Sequence, residues 1–362
     1  MKTQHLFSHK GVSRLVITML TALIGGSSFK LMHVPIPWLL GPMTAVLIGS
    51  SLWKGRYGWP GQVRNAGMII VGYTIGLSMT AAALQEMSHQ LTSMLLMTLI
   101  LLLMCASMAY VVSKLARSDY LTALLGCIPG GLTQVISLAE ETEGVNITVV
   151  TVMQVVRLMA IIICVPILIF SPVLGNHRTD ALAAQAASSI HAEGAILFPD
   201  ILPFAAVSVV CALAGDRIRF PTAYLLGPAI GTAILQMFGL HGPQLPSLVI
   251  NAAQFMIGAF VGLLLKPGEL TQKLRTVTLA LLNSIMLVAG ALGLSLLLRE
   301  FHSVSMSTAL LSIAPGGMDQ MGIIAHEINA DLSIVAGYQL FRTFFIFFAV
   351  PSLFRLIINR KN

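Results

Sequence analysis

Gly126-Cys127-Ile128-Pro129-Gly130-Gly131-Leu132-Thr133-Gln134 interrupts a long apolar run. Proline removes a backbone donor and collides with the preceding turn, and two glycines impose no steric preference, so a helix entering this stretch breaks. In water that would be an ordinary turn. In a bilayer, the freed backbone groups must find partners in protein or in a water-filled cavity. The stretch recurs 186 residues later as Ser312-Ile313-Ala314-Pro315-Gly316-Gly317-Met318-Asp319-Gln320.

The rest of the chain supplies the apolar setting. Hydrophobic residues are 56% and charged residues 10%, against about 25% charged in soluble proteins. Mean hydropathy is +0.86. These values describe an all-α polytopic membrane protein. The net charge of +7 is therefore read as the Lys/Arg excess of cytoplasmic loops and not as a nucleic-acid footprint. No basic run is interleaved with aromatics and no zinc-type spacing occurs, so neither a nucleic-acid partner, nor a metal, nor a cofactor is expected. Cys105, Cys127, Cys164 and Cys211 lie in apolar segments and read as free, small hydrophobes. The N-terminus resembles a secretory signal, but its counterpart in the second half argues that it is retained.

The repeat extends well beyond the breaks. Leu39-Leu40-Gly41-Pro42 returns as Leu225-Leu226-Gly227-Pro228, Asn65-Ala66 as Asn251-Ala252, and Gly72 and Gly76 as Gly258 and Gly262, all at offset 186. After one deletion the offset is 185: Gln154 and Arg157 match Gln339 and Arg342. A single register held over this length is a tandem duplication. It divides the chain into a first membrane repeat (1–174), a linker (175–194) and a second repeat (195–362).

Each half contains six apolar segments, at 13–32, 34–53, 62–85, 90–116, 119–142 and 146–172, then 196–215, 220–239, 247–265, 274–299, 304–328 and 331–356. Most reach the roughly 20 residues that a crossing needs. If the fifth segment of each half is a re-entrant hairpin, each half has five spans and the second is inverted. Sixteen Lys/Arg then face the cytoplasm and three, Lys30, Arg178 and Arg299, face outward. If the fifth segments cross instead, the split is thirteen to six. The positive-inside rule selects the inverted arrangement, with ten spans, two hairpins and both termini cytoplasmic in a bacterial inner membrane.

Two basic residues remain, Arg157 and Arg342, in the middle of the sixth segments. A charge there costs about 2.5–3.5 kcal/mol on insertion scales and requires a partner. Gln154 and Gln339 lie three residues earlier, on the same helical face. Each arginine either braces its own hairpin by donating to carbonyls freed at the break, or meets a substrate or coupling carboxylate. A short helix follows each break, and its N-terminus carries unpaired amides and the positive end of a dipole. Paired helix starts at mid-membrane are a recurring way of holding an anionic group.

The halves differ at several positions. Asp319 replaces Thr133, and reads as an N-terminal cap or as a ligand for a coupling proton or sodium ion. Glu140-Glu141 are matched by His326-Glu327 and read first as solvated loop charges and second as proton-handling groups. Asn146 and Asp331 read as helix caps. The in-helix Gly-Pro pairs suggest a pivot or close packing, and the Gly-x-x-x-Gly pairs suggest close backbone approach. Asn65 and Asn251 are either packing bonds or site ligands.

Two Pro-Gly-Gly copies, an acidic stretch and Gln-x-x-Arg, with Leu-Leu-Gly-Pro early in each half, resemble the bacterial AbrB family of duplicated membrane proteins. This is distinct from the small DNA-binding transition-state regulator of the same name. Members are described as regulators of gene expression or as ammonia monooxygenases, and the resemblance implies an inner-membrane protein with no catalytic residues to carry over. The oxygenase description lacks the clustered His or carboxylate ligands that it needs.

Two readings follow. The first is a secondary transporter or exporter of a small organic anion, in which a hairpin-bearing unit moves against a scaffold. Its site residues would be Pro129, Gly130, Gly131, Gln134, Gln154 and Arg157, with Pro315, Gly316, Gly317, Asp319, Gln320, Gln339 and Arg342. The second is a membrane-embedded sensor that affects gene expression through a partner. Neither is an enzyme, since no nucleophile–base pair or metal cluster is legible. Homo-oligomerisation is compatible with both.

Overall fold

The computed structural model describes residues 9–130, 132–142, 144–171, 198–218, 220, 222–264, 274–302 and 304–359. Fifteen helices lie among them. The first half supplies α1 (His9–Leu31), α2 (Pro37–Leu52), α3 (Gly61–Ser78), α4 (Ala81–His89), α5 (Leu91–Ala116), α6 (Tyr120–Cys127), α7 (Leu132–Glu141) and α8 (Ile147–Ile169). The second supplies α9 (Phe198–Arg217), α10 (Ala223–Met237), α11 (Ser247–Gly262), α12 (Leu274–His302), α13 (Met306–Ile313), α14 (Met318–Glu327) and α15 (Leu332–Asn359).

Among the described residues, five helices are long and apolar enough to cross a membrane: α1, α5, α8, α12 and α15. The count is six if the bent pair α3 and α4 is one span. The protein is thus an all-α polytopic membrane protein. α2, α10 and α11 are apolar but shorter, at 16, 15 and 16 residues. At 1.5 Å per residue they reach only about 24 Å, less than the ~30 Å hydrocarbon core. A count of ten crossings therefore includes three that run short.

The chain forms two compact units, and neither coincides with a sequence repeat. One unit is 1–80 with 170–272, and the other is 81–169 with 273–362. Each is assembled from part of both halves.

In the first unit, α1 packs along α2 and α9 along α10, while the third helix of each half packs on the second helix of the other. Glycines make these contacts. A Cβ on Gly72 would collide with the Leu225 carbonyl of α10, and one on Gly76 would stand 2.6 Å from the Ala229 carbonyl oxygen. Reciprocally, Gly258 lies against the Leu39 carbonyl of α2, and a Cβ on Gly262 would be 2.5 Å from the Met43 carbonyl oxygen. The Gly-x-x-x-Gly pairs thus bring backbones together, as small residues do in membrane helix pairs. Gly41 and Gly227, of the Leu-Leu-Gly-Pro motifs, also serve close packing. A Cβ on either would meet a carbonyl oxygen 2.5 Å away, that of Gly25 or of Cys211.

The entry to these two helices repeats as well. Ile36, before α2, and Thr222, before α10, both take the left-handed conformation, with φ of 51° and 47°. For β-branched residues that conformation costs on the order of 1–3 kcal/mol. It is held at equivalent positions of the two halves.

In the second unit, α6 packs on α5 and α8, and α13 packs on α12 and α15. Ser93 joins three helices: its Oγ lies 2.7 Å from the Tyr338 hydroxyl of α15 and 2.8 Å from His302 Nε2 of α12. The cysteines are free, with Cys105 and Cys127 buried.

Candidate functional site

The second unit contains both Pro-Gly-Gly breaks. Helix α6 begins at a cap, Asp119 Oδ2 accepting from the Leu121 amide, and ends at Cys127. Ile128 then turns to extended backbone (φ −63°, ψ 128°), as Ala314 does after α13 (φ −48°, ψ 127°). In each break the first glycine amide folds back across the proline, Gly130 onto the Ile128 carbonyl at 2.9 Å and Gly316 onto the Ala314 carbonyl at 2.8 Å.

Pro129 follows Leu125 by four residues, so the amide that would have served the Leu125 carbonyl does not exist. Gln154 supplies the missing donor: its Nε2 lies 2.6 Å from the Leu125 oxygen and 3.0 Å from the Ile128 oxygen. Arg157, one turn later on α8, donates from Nη1 to the Cys127 and Ile128 carbonyls at 3.2 and 2.7 Å. Its Nη2 donates to Gln154 Oε1 at 2.6 Å. The i, i+3 spacing places both side chains over the last turn of α6.

The second half repeats this. Gln339 Nε2 donates to the Leu311 carbonyl at 2.7 Å, four residues before Pro315, and to Ala314 at 3.1 Å. Arg342 donates to Ile313 at 3.2 Å, to Ala314 at 2.8 Å and, from Nη2, to Gly316 at 2.9 Å. Nη2 also bonds Gln339 Oε1. The bracing role is thus one that both arginines perform. The caps recur too: Asn146 Oδ1 accepts from the Val149 amide, and Asp331 Oδ1 from the Ser333 and Ile334 amides. The Asn146 and Asp331 amides each donate to a threonine, Thr122 or Thr308, at 3.1 Å.

The breaks also meet each other's long helices. A Cβ on Gly130 would lie 3.6 Å from Ile346 of α15, and one on Gly316 would lie 3.2 Å from Ile161 of α8. Ile161 and Ile346 each follow their arginine by four residues and are equivalent in the repeat. That spacing is a legible signal that the sequence reading did not use. Arg157 and Arg342 are close enough for their charges to interact, and Cys105 of α5 lies within electrostatic reach of both. Cys127 Sγ points to Asn283 Oδ1 of α12, 3.5 Å away. Asn283 was not among the residues expected at the site, because its half-repeat counterpart is Met97.

Arg157 and Arg342 are each 4% exposed. Their Nη atoms go to neutral acceptors, no carboxylate pairs with either among the described residues, and Nε of each is buried without a partner. Gln320 is 3% exposed and its Oε1 is likewise buried and unpartnered. Asp319 does not take the cap position expected of it. Gly317 is the N-cap of α14, and Asp319 lies in the first turn, accepting from Gln320 Nε2 at 2.8 Å. Pro129 and Pro315 are buried within the turns. Gly131 and the side chain of Gln134 lie outside the described residues. Glu140 is exposed, and His326 and Glu327 are half-buried. Asn65 lies near the Tyr224 hydroxyl, which donates to Asp216 Oδ2. Among the described residues no three His, Cys, Asp or Glu side chains are grouped to hold a metal ion.

Multiple membrane-length helices and two breaks, each stitched by a Gln-x-x-Arg pair, define a class of polytopic membrane protein with internal helix ends. The chain belongs to the AbrB family, whose model, described as "Transition state regulatory protein AbrB", matches residues 38–358. It is 27% identical over 334 residues to "Putative regulator AbrB" of Escherichia coli (strain K12), covering 91% of this chain and 92% of the relative. It is 24% identical over 352 residues to "Uncharacterized protein YhjN" of Bacillus subtilis (strain 168), covering 92% and 90%.

Proposed function

We propose that the protein is a secondary transporter of a small organic anion in the bacterial inner membrane, without enzymatic activity, acting at the two braced breaks. The observation that carries this reading is the pair of buried guanidiniums. Their hydrogen bonds hold the breaks open, but carbonyl dipoles do not cancel two formal charges. In a low-dielectric interior such charges require a counter-charge. A carboxylate arriving from either side would supply it, aided by the positive end of α14 and by the two free Nε donors. Inverted halves, with movement of the hairpin-bearing unit, would give alternating access.

The test is flux in liposomes reconstituted with purified protein, using labelled mono- and dicarboxylates with and without imposed ion gradients. Saturable flux above protein-free vesicles is expected, and an Arg157→Gln/Arg342→Gln protein that remains monodisperse should lose it. Absence of flux for every carboxylate tried, or flux unchanged in that double variant, overturns the reading.

The name of the Escherichia coli relative favours a second reading, a membrane-embedded regulator. Regulation through the level of a transported metabolite would join the two readings. Saturable carboxylate binding without flux would favour the regulator alone.

A further inference from the structure

The two breaks differ in sequence at Asp319, which stands where the first break has Thr133, while Gly317 and Gln320 match Gly131 and Gln134. Gln320 Nε2 donates to Asp319 Oδ2, which fixes the amide orientation: reversing it would set two oxygens against each other. Gln320 Oε1 is thereby turned away from its hydrogen-bonded neighbour, and it is buried with no partner. It points into the space over Gly317. A Cβ there would overlap Gln320 Oε1 and stand 2.6 Å from Asp319 Oδ1. Two oxygens, one of them from a carboxylate, thus converge on a notch that exists because residue 317 has no side chain.

A buried acceptor without a donor is unfavourable, and folded proteins resolve it with water or an ion. We infer that the notch formed by Gly317, Asp319 and Gln320 binds a sodium ion. Carboxylate and amide oxygens are hard ligands suited to such a cation, and water can complete the shell. One carboxylate, with the positive end of α14 and the Arg342 guanidinium at the same break, favours a singly charged ion, because each added charge raises the repulsion. A proton on Asp319 would bridge a single pair of oxygens, and a pH series separates it from an ion. The equivalent position in the first break is Thr133, which brings no charge. The cation therefore belongs to one half, as directional coupling of an anion to an ion gradient requires.

The site lies at the same break as the proposed anion site, but it is read without any anion. The unfolding midpoint of the purified full chain in detergent is measured in sodium, potassium or choline chloride at constant ionic strength and across pH. A saturable rise specific to sodium is expected, by mass action on the folded state. It should be lost in Asp319→Asn, in Gln320→Ala and in Gly317→Ala, the last of which keeps both side chains but puts a methyl group where their oxygens converge. Equal midpoints in sodium and choline overturn the inference, as does a sodium effect that survives Gly317→Ala and Asp319→Asn. A rise that follows falling pH in choline assigns the position to a proton and also overturns it. Carboxylate flux indifferent to sodium would leave the anion reading standing and remove this one.

Discussion

Gln154 Nε2 lies 2.6 Å from the carbonyl oxygen of Leu125, the acceptor left without a helical donor because Pro129 has no amide hydrogen. Gln339 has the same relation to Leu311 and Pro315, at 2.7 Å. The Gln-x-x-Arg motif is therefore a substitute, carried by a neighbouring helix, for backbone donors that Pro-Gly-Gly removes. In water such carbonyls would be solvated; in the bilayer interior they have only the protein.

This relationship predicts a coupling between Gln154 and Pro129. Gln154→Ala should destabilise the protein by about 1–3 kcal/mol, the range for stranding a buried polar group. Pro129→Ala in the same chain restores a donor to Leu125, so the double variant should lose less than Gln154→Ala alone. Thermal or chemical unfolding in detergent measures it, and additive losses would count against the substitution argument.

Arg342 makes one backbone contact that Arg157 lacks, to Gly316 at 2.9 Å. Arg342→Lys should therefore lower stability more than Arg157→Lys, because an ammonium cannot reproduce a planar fork reaching several carbonyls. Equal losses in parallel unfolding curves would refute the difference.

The reciprocal glycine contacts predict a graded series. Gly72→Val and Gly258→Val each drive a side chain into a backbone carbonyl of the facing helix and should cost about 1–3 kcal/mol or more. Gly293, in α12, has no atom within 4 Å of a Cβ position. Gly293→Ala should be neutral or stabilising by roughly 0.5–1 kcal/mol. Unfolding midpoints and the yield of monodisperse protein rank the three.

An inverted arrangement, the one that the loop charges favour, predicts opposite addresses for two equivalent positions. Reporter fusions after Glu143 and after Asn329 should report the cytoplasm and the outside, respectively. Two outside reports would remove the inversion.

Much of the site was legible because bilayer physics makes a broken helix expensive. Pro129 and Pro315 announce the breaks, Arg157 and Arg342 cannot lie in an apolar segment unattended, and the bracing role follows from their spacing to the glutamines. Asn146 and Asp331 announced themselves as caps for the same local reason. Other features depend on long-range packing and left no local trace. Asn283 meets Cys127 from a position whose counterpart in the first half, Met97, is apolar. Asp319 was displaced from the cap position by Gly317, since the glycine already has the extended backbone that a cap needs (φ −76°, ψ 146°). The break of the third apolar segment after Ser78 separates the two compact units at Thr80, and hydropathy alone runs straight through it.

The division into compact units has a consequence for synthesis. When the first half has been inserted, Gly72 and Gly76 have no partner, because the Leu225 and Ala229 carbonyls that they pack against are still to be translated. The interlocked unit cannot close until α10 and α11 arrive. Late, non-local closure of this kind slows folding and exposes incomplete intermediates to misassembly. Chains ending at residue 174 should therefore be cleared by membrane quality control when made alone, and should persist when 195–362 is supplied as a separate chain. Pulse-chase labelling would read the difference directly.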